Sequence, residues 1–405
     1  MAPGPGEGHE ARDKRARVAV SALFLTNGAL FANLLPRYPE IKSDLAMSNT
    51  LYGAAVASFS AGALVAAPTA AVLIRRFQSA PVAVTSSIAL AGCLAAAGSA
   101  ASPLLFGLAL FAAGAGDAIT DVAQNAHGLR LQRRYRRSII NSLHAVWALG
   151  AIIGGLMGAA AIALDVARPL HLVSAGIVFG SVVVIAYPYL LRGPDHIDRA
   201  VDRARDDARR PSRQNDSRFG TPVHLALLAL VGLAVAGATV EDAGSSWATV
   251  YLREALGAPG PVAAMGFVSL VGFMVVGRLA GDRLVDRFGE RAVARTGGLI
   301  TAAGMGIALA LPTVPGTIAG FGAAGLGVAT VVPAAMRAAD ELPGLRAGTG
   351  LTAVTWLMRG GFLAAPLVVG VVADAADLRT GLLIVPLAGI TLMVLAGALD
   401  TRRPR

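Results

Sequence analysis

Apolar runs of about 20 residues recur along the whole 405-residue chain, each long enough to cross a hydrocarbon layer of about 30 Å as a helix. In such a layer no water is present to bond backbone N–H and C=O groups. A run of this kind therefore has to satisfy them within itself, as a helix does. Twelve spans follow: 17–36, 50–74, 81–100, 103–127, 140–164, 169–191, 221–250, 260–281, 292–311, 314–336, 347–373 and 380–399. The predicted fold class is an all-α polytopic membrane protein with twelve transmembrane helices. Composition agrees: 15% of residues are charged, against about 25% in soluble domains. The polar first 17 residues end in "RDKRAR" and run into a full-length span, which is not the pattern of a cleaved secretory signal.

The basic residues orient the spans. Twenty-nine of the 35 lie in the two tails and in the five segments sharing their side, each segment taken with the adjoining span ends. Five, Arg37, Lys42, Arg168, Arg253 and Arg379, lie in the other loops, and Arg359 lies within a span. The positive-inside rule then places both termini in the cytoplasm. The net charge of +10 is read as this topology signal, and nucleic-acid binding is not expected. Arginine replaces lysine nearly everywhere, and Ala and Gly abound, as in GC-rich bacterial genomes; a bacterial inner membrane is the expected location. The single cysteine, Cys93, rules out an intramolecular disulfide and a cysteine metal site. No metal site and no cofactor are expected.

The mixed-charge stretch 192–220 reads as a solvated linker between a six-helix half, 1–191, and a second, 221–405. The halves look like copies: "LIRRF" (73–77) follows span two and "LVDRF" (284–288) follows span eight. Internal duplication is a common plan of secondary transporters. "GFGAAG" (320–325) fits a dinucleotide fingerprint, but no strand precedes it and it lies in a span, so helix packing is its reading. The ridge Gly150, Gly154, Gly158 is read the same way. No Walker A motif supports ATP-driven pumping.

With twelve spans and "GDRLVDRFGER" (281–291) after span eight, the chain resembles the major facilitator superfamily. The first-half copy, "AVLIRRFQSA" (71–80), carries Arg75 where the family usually has Asp, so the resemblance rests the cytoplasmic gate on Asp286 and Arg287. "NLLPRY" (33–38), "DVAQN" (121–125), "SLHAVWALGAIIGG" (142–155) and "WATVYL" (247–252) are similar to the fucose-permease-like branch. That branch's symporters place an Asp where this chain has Ala32. The resemblance implies two pseudo-symmetric halves rocking about a central site, with a small organic solute and protons as ligands and the bilayer as surroundings. It implies a transporter rather than an enzyme, working as a monomer. Ala32 and the antiporter-like "GAIIGG" (150–155) lean the reading towards export. Proton-driven uptake of a sugar-like solute is the alternative, and a non-transporting receptor or scaffold is the alternative from another class.

Ionised groups are expensive in a bilayer, which singles out candidates. Asp117, Asp121 and Asn125 stand four residues apart, on one helical face. Asp121 is the candidate proton carrier, sharing one proton with Asp117; the competing reading has Asp121 bonded to span one or span five and never titrating. His144 lies on one face with Asn141 and Trp147, for coupling, substrate contact or structure. Arg359 sits about 20 Å into span eleven at 1.5 Å per residue. It needs an acid, carbonyl groups or an anionic substrate, and Trp356 beside it is grouped with it as a substrate contact. Glu241 and Asp242, in the outer part of span seven, either line a cavity mouth or reach external water. Asn27 and Asn33 in span one bond either a substrate or a neighbouring helix.

Overall fold

The computed structural model describes residues 5–135, 139–191, 193, 221–343, 345 and 349–399. Among them are twelve helices long and apolar enough to span a membrane. They are α1 (Arg12–Asp44), α2 (Asn49–Phe77), α3 (Ser79–Gly98), α4 (Pro103–Tyr135), α5 (Ile140–Ala163), α6 (Arg168–Tyr189), α7 (Val223–Ala255), α8 (Gly260–Phe288), α9 (Glu290–Ala310), α10 (Val314–Asp340), α11 (Thr349–Ala375) and α12 (Leu378–Ala398). Each coincides with an expected span. Several run further than hydropathy alone predicts, α1 and α4 by about two turns, because backbone bonding continues where the apolar run stops. The stretch 192–220, apart from Gly193, lies outside the described residues.

Local breaks have local causes. Pro36 and Pro39 interrupt α1, which passes through a 3-10 turn at Leu35–Arg37 before resuming at Tyr38–Asp44. The last turn of α7, Tyr251–Ala255, is a π-helix. Such turns are rare and gather at functional positions.

Contacts divide the chain into two compact units. One comprises Met1–Leu34, Ala61–Met157 and Val166–Asn215. Its core gathers Leu23 and Phe24 of α1, Ala83 of α3, Ala123 and Leu131 of α4, Leu143 of α5 and Val183 of α6. The other comprises Leu35–Ser60, Gly158–Asp165 and Asp216–Arg405. The end of α1, the start of α2 and the end of α5 thus group with the second half of the sequence.

Small residues set helix spacing, as expected where lipid competes equally for every apolar side chain. In the first unit a Cβ on Gly150 would lie 2.1 Å from the Leu25 carbonyl oxygen, and one on Gly28 would lie 2.1 Å from that of Trp147. Backbone meets backbone there, so α1 and α5 touch without intervening side chains. The "GFGAAG" segment does the same in the second unit, where a Cβ on Gly325 would lie 2.0 Å from the Leu270 carbonyl oxygen.

Gly150→Ala should therefore destabilise the protein by at least the 1–3 kcal/mol or so typical of overpacking, seen as a lower melting temperature in detergent. Gly92→Ala is the control: nothing lies within 4 Å of a Cβ there, and its melting temperature should hold or rise. Equal effects at the two positions would contradict the backbone-contact account.

Candidate functional site

The first unit carries a polar network built on α4. Asp117, Asp121 and Asn125 are half-buried on one face, as their spacing predicts. The Asn27 side-chain amide of α1 donates to Asp117 Oδ1 at 2.8 Å, and Trp147 Nε1 of α5 donates to Asn27 Oδ1 at 2.8 Å. Three helices are thus tied by one amide that accepts from an indole and donates to a carboxylate. One turn along α4, Asn125 Nδ2 donates to Asp121 Oδ1 at 2.8 Å and to the Asp121 carbonyl at 2.9 Å. Asn125 Oδ1 meets His144 Nε2 of α5 at 3.2 Å. An amide oxygen only accepts, so this amide orientation makes Nε2 the donor. Phe24 stands edge-on to the His144 ring, centroids 5.3 Å apart.

Of the first-half candidates, Asn27, Asp117, Asp121, Asn125, His144 and Trp147 are joined in these two chains. Asn141 is exposed on α5 and belongs to neither. Asn33 is 1% exposed and faces α6: it donates to the Ala29 carbonyl at 2.8 Å, and its Oδ1 lies 2.9 Å from His171 Nε2.

A second polar stripe on α4 had no place in the sequence reading. Thr120, Gln124 and His127 are fully buried. Thr120 Oγ1 donates to Ser86 Oγ of α3 at 2.8 Å. His127 Nε2 accepts the Leu191 N–H at 3.1 Å, which leaves Nδ1 to donate to Ser79 Oγ at 2.9 Å. This stripe packs α4, whereas the stripe with the acids stays half-open. Both have near-helical spacing, so periodicity alone does not separate them.

In the second unit, Glu241 and Asp242 lie near the middle of α7, because the helix runs through its π turn to Ala255. Their expected position in the outer part of the span is corrected accordingly. Arg278 Nη2 of α8 lies 3.9 Å from Glu241 Oε2, a loose pair with both side chains partly exposed. Arg278 was counted among the cytoplasmic basic residues in reading the sequence, yet α8 holds it well inside the helix. Asp242 Oδ2 is buried without a hydrogen-bond partner among the described residues. Arg359 is half-buried on α11 and, among the described residues, has no ion-pair or hydrogen-bond partner; Trp356, a turn earlier, is 58% exposed. Asp286 and Arg287 are exposed at the end of α8, with the Arg287 guanidinium 5.3 Å from the Phe288 ring centroid. At that end Arg337 and Glu290 pair at 3.0 Å, linking α10 to α9. Among the described residues no group of three or more His, Cys, Asp or Glu is placed to hold a metal ion.

Comparison with known proteins places this geometry. The Major Facilitator Superfamily profile matches residues 20–285. The uncharacterized transporter y4wD of Sinorhizobium fredii is 29% identical over 383 residues, covering 94% of this chain and 97% of that one. The membrane protein MosC of Rhizobium meliloti is 26% identical over 390 residues, covering 95% and 90%. Among solved structures, a D323A mutant of the nucleoside transporter NupG superposes with a TM-score of 0.73 over 95% of this chain and 99% of its own, at 11% identity. A bacterial homologue of the human lysosomal transporter Spinster, inward-facing and occupied, has a TM-score of 0.73 at 14% identity, covering 94% of each chain. At such identities the two structures speak for the fold alone.

The amide of Asn27 makes a sharp prediction. Asn27→Leu removes the bonds that Asn27 makes with Asp117 and Trp147 together and should cost about 1–3 kcal/mol, the range for lost hydrogen bonds to half-buried and charged groups. Trp147→Phe removes one donor and should cost about 1 kcal/mol. A double-mutant cycle followed by thermal unfolding should show the two effects coupled; strict additivity would mean the chain carries no energy.

Proposed function

The chain belongs to the Major Facilitator Superfamily, whose members are membrane transporters and not enzymes, and from that premise we propose a proton-coupled secondary transporter of a small organic solute. It works by alternating access and favours export. The observation that carries this reading is the Asp121–Asn125–His144 chain beside Asp117–Asn27–Trp147. A carboxylate held by an amide donor is a place where a proton changes the bonding of its neighbours. Protonating Asp121 removes the charge that holds the Asn125 amide and turns the carboxyl into a donor. Asn125 and His144 are then free to exchange partners with a solute. Asp117 shares the proton load, since two acids one turn apart titrate as a coupled pair.

The remaining roles follow from chemistry. Asn27, Asn33, Asn125, Asn141 and Trp147 offer hydrogen bonds to the solute. Glu241, Asp242, Trp356 and Arg359 are its contacts in the second half. An arginine keeps its charge in essentially any environment. A guanidinium within a span and, among the described residues, without an ion-pair or hydrogen-bond partner is suited to an anionic group of the solute. Asp286 and Arg287 gate the cytoplasmic end, both termini lie in the cytoplasm, and the protein acts as a monomer in a bacterial inner membrane. Ala32 and the α5 glycines support export. The second reading, proton-driven uptake of a sugar-like solute, draws on the acid-x-x-x-Asn arrangement of Asp121 and Asn125. A receptor or scaffold would have no need of polar chains across α1, α4 and α5.

A thermal-shift screen identifies a solute, since a ligand specific to the folded state raises its apparent stability. With that solute, Asp121→Asn should abolish flux driven by a pH gradient in proteoliposomes and leave solute exchange largely intact. Normal gradient-driven flux in the variant would make Asp121 structural. Arg359→Gln should weaken solute affinity with little loss of stability, and Arg359→Lys should restore it in part, because lysine lacks the bidentate fork. A large stability loss with unchanged affinity would instead assign Arg359 to a structural ion pair.

A further inference from the structure

Asp242 is partly exposed near the middle of α7, and its Oδ2 is buried with no hydrogen-bond partner among the described residues. A carboxylate oxygen withdrawn from water calls for a donor, and an ionised one calls for a cation. The basic side chains beside α7 are engaged elsewhere. Arg278 Nη2 lies 3.9 Å from Glu241, Lys42 Nζ lies 2.6 Å from Glu254, and Arg253 Nη1 donates to the Ala258 carbonyl at 3.0 Å. Among the described residues Asp242 has no ion-pair partner. Its turn is nevertheless held without using the carboxylate: Ser246 Oγ donates to the Asp242 carbonyl at 2.6 Å, and the Tyr52 hydroxyl of α2 donates to the Ser246 carbonyl at 2.6 Å. The Tyr52 ring stands edge-on to Tyr38 and Trp247, with centroids 5.7 and 4.8 Å away. The Tyr38 and Tyr52 hydroxyls lie within range of the Asp242 charge. Trp247 is fully buried, and its Nε1 also has no hydrogen-bond partner among the described residues.

Asp242 and Arg359 are thus opposite charges in one compact unit that pair neither with each other nor with another described residue. We propose that Asp242 seats an ammonium group of the solute, so that the solute is an amine, and a zwitterion where Arg359 takes its anionic group. An ammonium brings the positive charge that the carboxylate lacks and three N–H donors, one of which suffices for Oδ2. The aromatic rings around the turn suit a cation, whose charge is attracted by their π systems. A neutral hydroxyl of the same size supplies a donor and leaves the charge uncompensated. The proposal rests on the reading that a small solute binds in the second unit; it needs neither proton coupling nor export.

The test uses the purified full chain in detergent, with Trp247 left as the only one of the three tryptophans by Trp147→Phe and Trp356→Phe. Benzylamine and benzyl alcohol, which share a ring and differ in charge, are titrated against its fluorescence. Benzylamine should give a saturable change, and benzyl alcohol should bind at least about tenfold more weakly, a difference of about 1.4 kcal/mol. Asp242→Asn keeps the size of the side chain and should weaken benzylamine by a similar factor. Asp242→Glu keeps the charge and should recover part of the affinity. Without ligand, Asp242→Asn should melt no lower than the parent, because it removes a charge that no described group compensates. Asp121→Asn should leave the benzylamine response in place. No saturable response to benzylamine, an equal response to benzyl alcohol, or a response that Asp242→Asn keeps would overturn the proposal. So would a response lost in Asp121→Asn alone, which would put the ammonium in the first unit. The Arg359 reading is tested apart, with Trp356 as the only tryptophan and benzoate as the probe. Arg359→Gln should abolish that response, and a failure there leaves the amine seat at Asp242 standing.

Discussion

A bilayer interior does not hydrate polar groups, and that constraint shapes every level of this protein. It forces the backbone into helices that bond themselves. It also removes the usual reason for apolar side chains to cluster, so helices meet through glycine, as α1 and α5 do where Gly28 and Gly150 touch backbone carbonyls. It leaves each polar side chain two stable situations: bonded to a neighbour or facing water. The two stripes of α4 illustrate both. Thr120 and His127 are buried and bonded to α3, while Asp117, Asp121 and Asn125 are half-open, with Asp117 accepting from the Asn27 amide and Asp121 from the amides of Asn125 and Gln124.

The same constraint sorts the charges of the second unit. Lys42 is buried and lies 2.6 Å from the partly exposed Glu254. Glu241 and Arg278 stand 3.9 Å apart and partly exposed, an arrangement that yields easily. Arg359 has no ion-pair or hydrogen-bond partner among the described residues. The Tyr52 hydroxyl bonds the Ser246 carbonyl of α7, one turn from Asp242.

How much of this was legible in the sequence depended on the range of the interaction concerned. The spans were legible because a run of apolar residues reports its own surroundings. Their ends were less so: α7 continues through a π turn to Ala255, and this moved Glu241 and Asp242 from an expected outer position to the middle of the helix. The face shared by Asp117, Asp121 and Asn125 followed from spacing. The partners did not, because Asn27 and Trp147 lie 90 and 120 residues from their respective bonding partners Asp117 and Asn27. Arg278 counts with the cytoplasmic charges in the sequence because it stands near the end of span 260–281. Lys42, Glu254, Asp374 and Tyr52 each resemble ordinary loop-edge residues, and only the folded chain brings them within bonding distance. The separation of polar residues into a buried and a half-open stripe on α4 is likewise a property of its neighbours, α3 and α5, and not of its own periodicity.

The central claim is that solute movement and proton movement are one process. It is tested most directly by trapping a pH-sensitive dye inside proteoliposomes that hold the purified protein, and imposing a solute gradient with no initial pH difference. The account predicts that the internal pH rises as solute enters down an inward gradient, because each solute taken in is exchanged for a proton sent out, and that the rise is absent when an ionophore clamps the pH or when Asp121 is Asn. Solute flux of normal rate with no change in internal pH would contradict it.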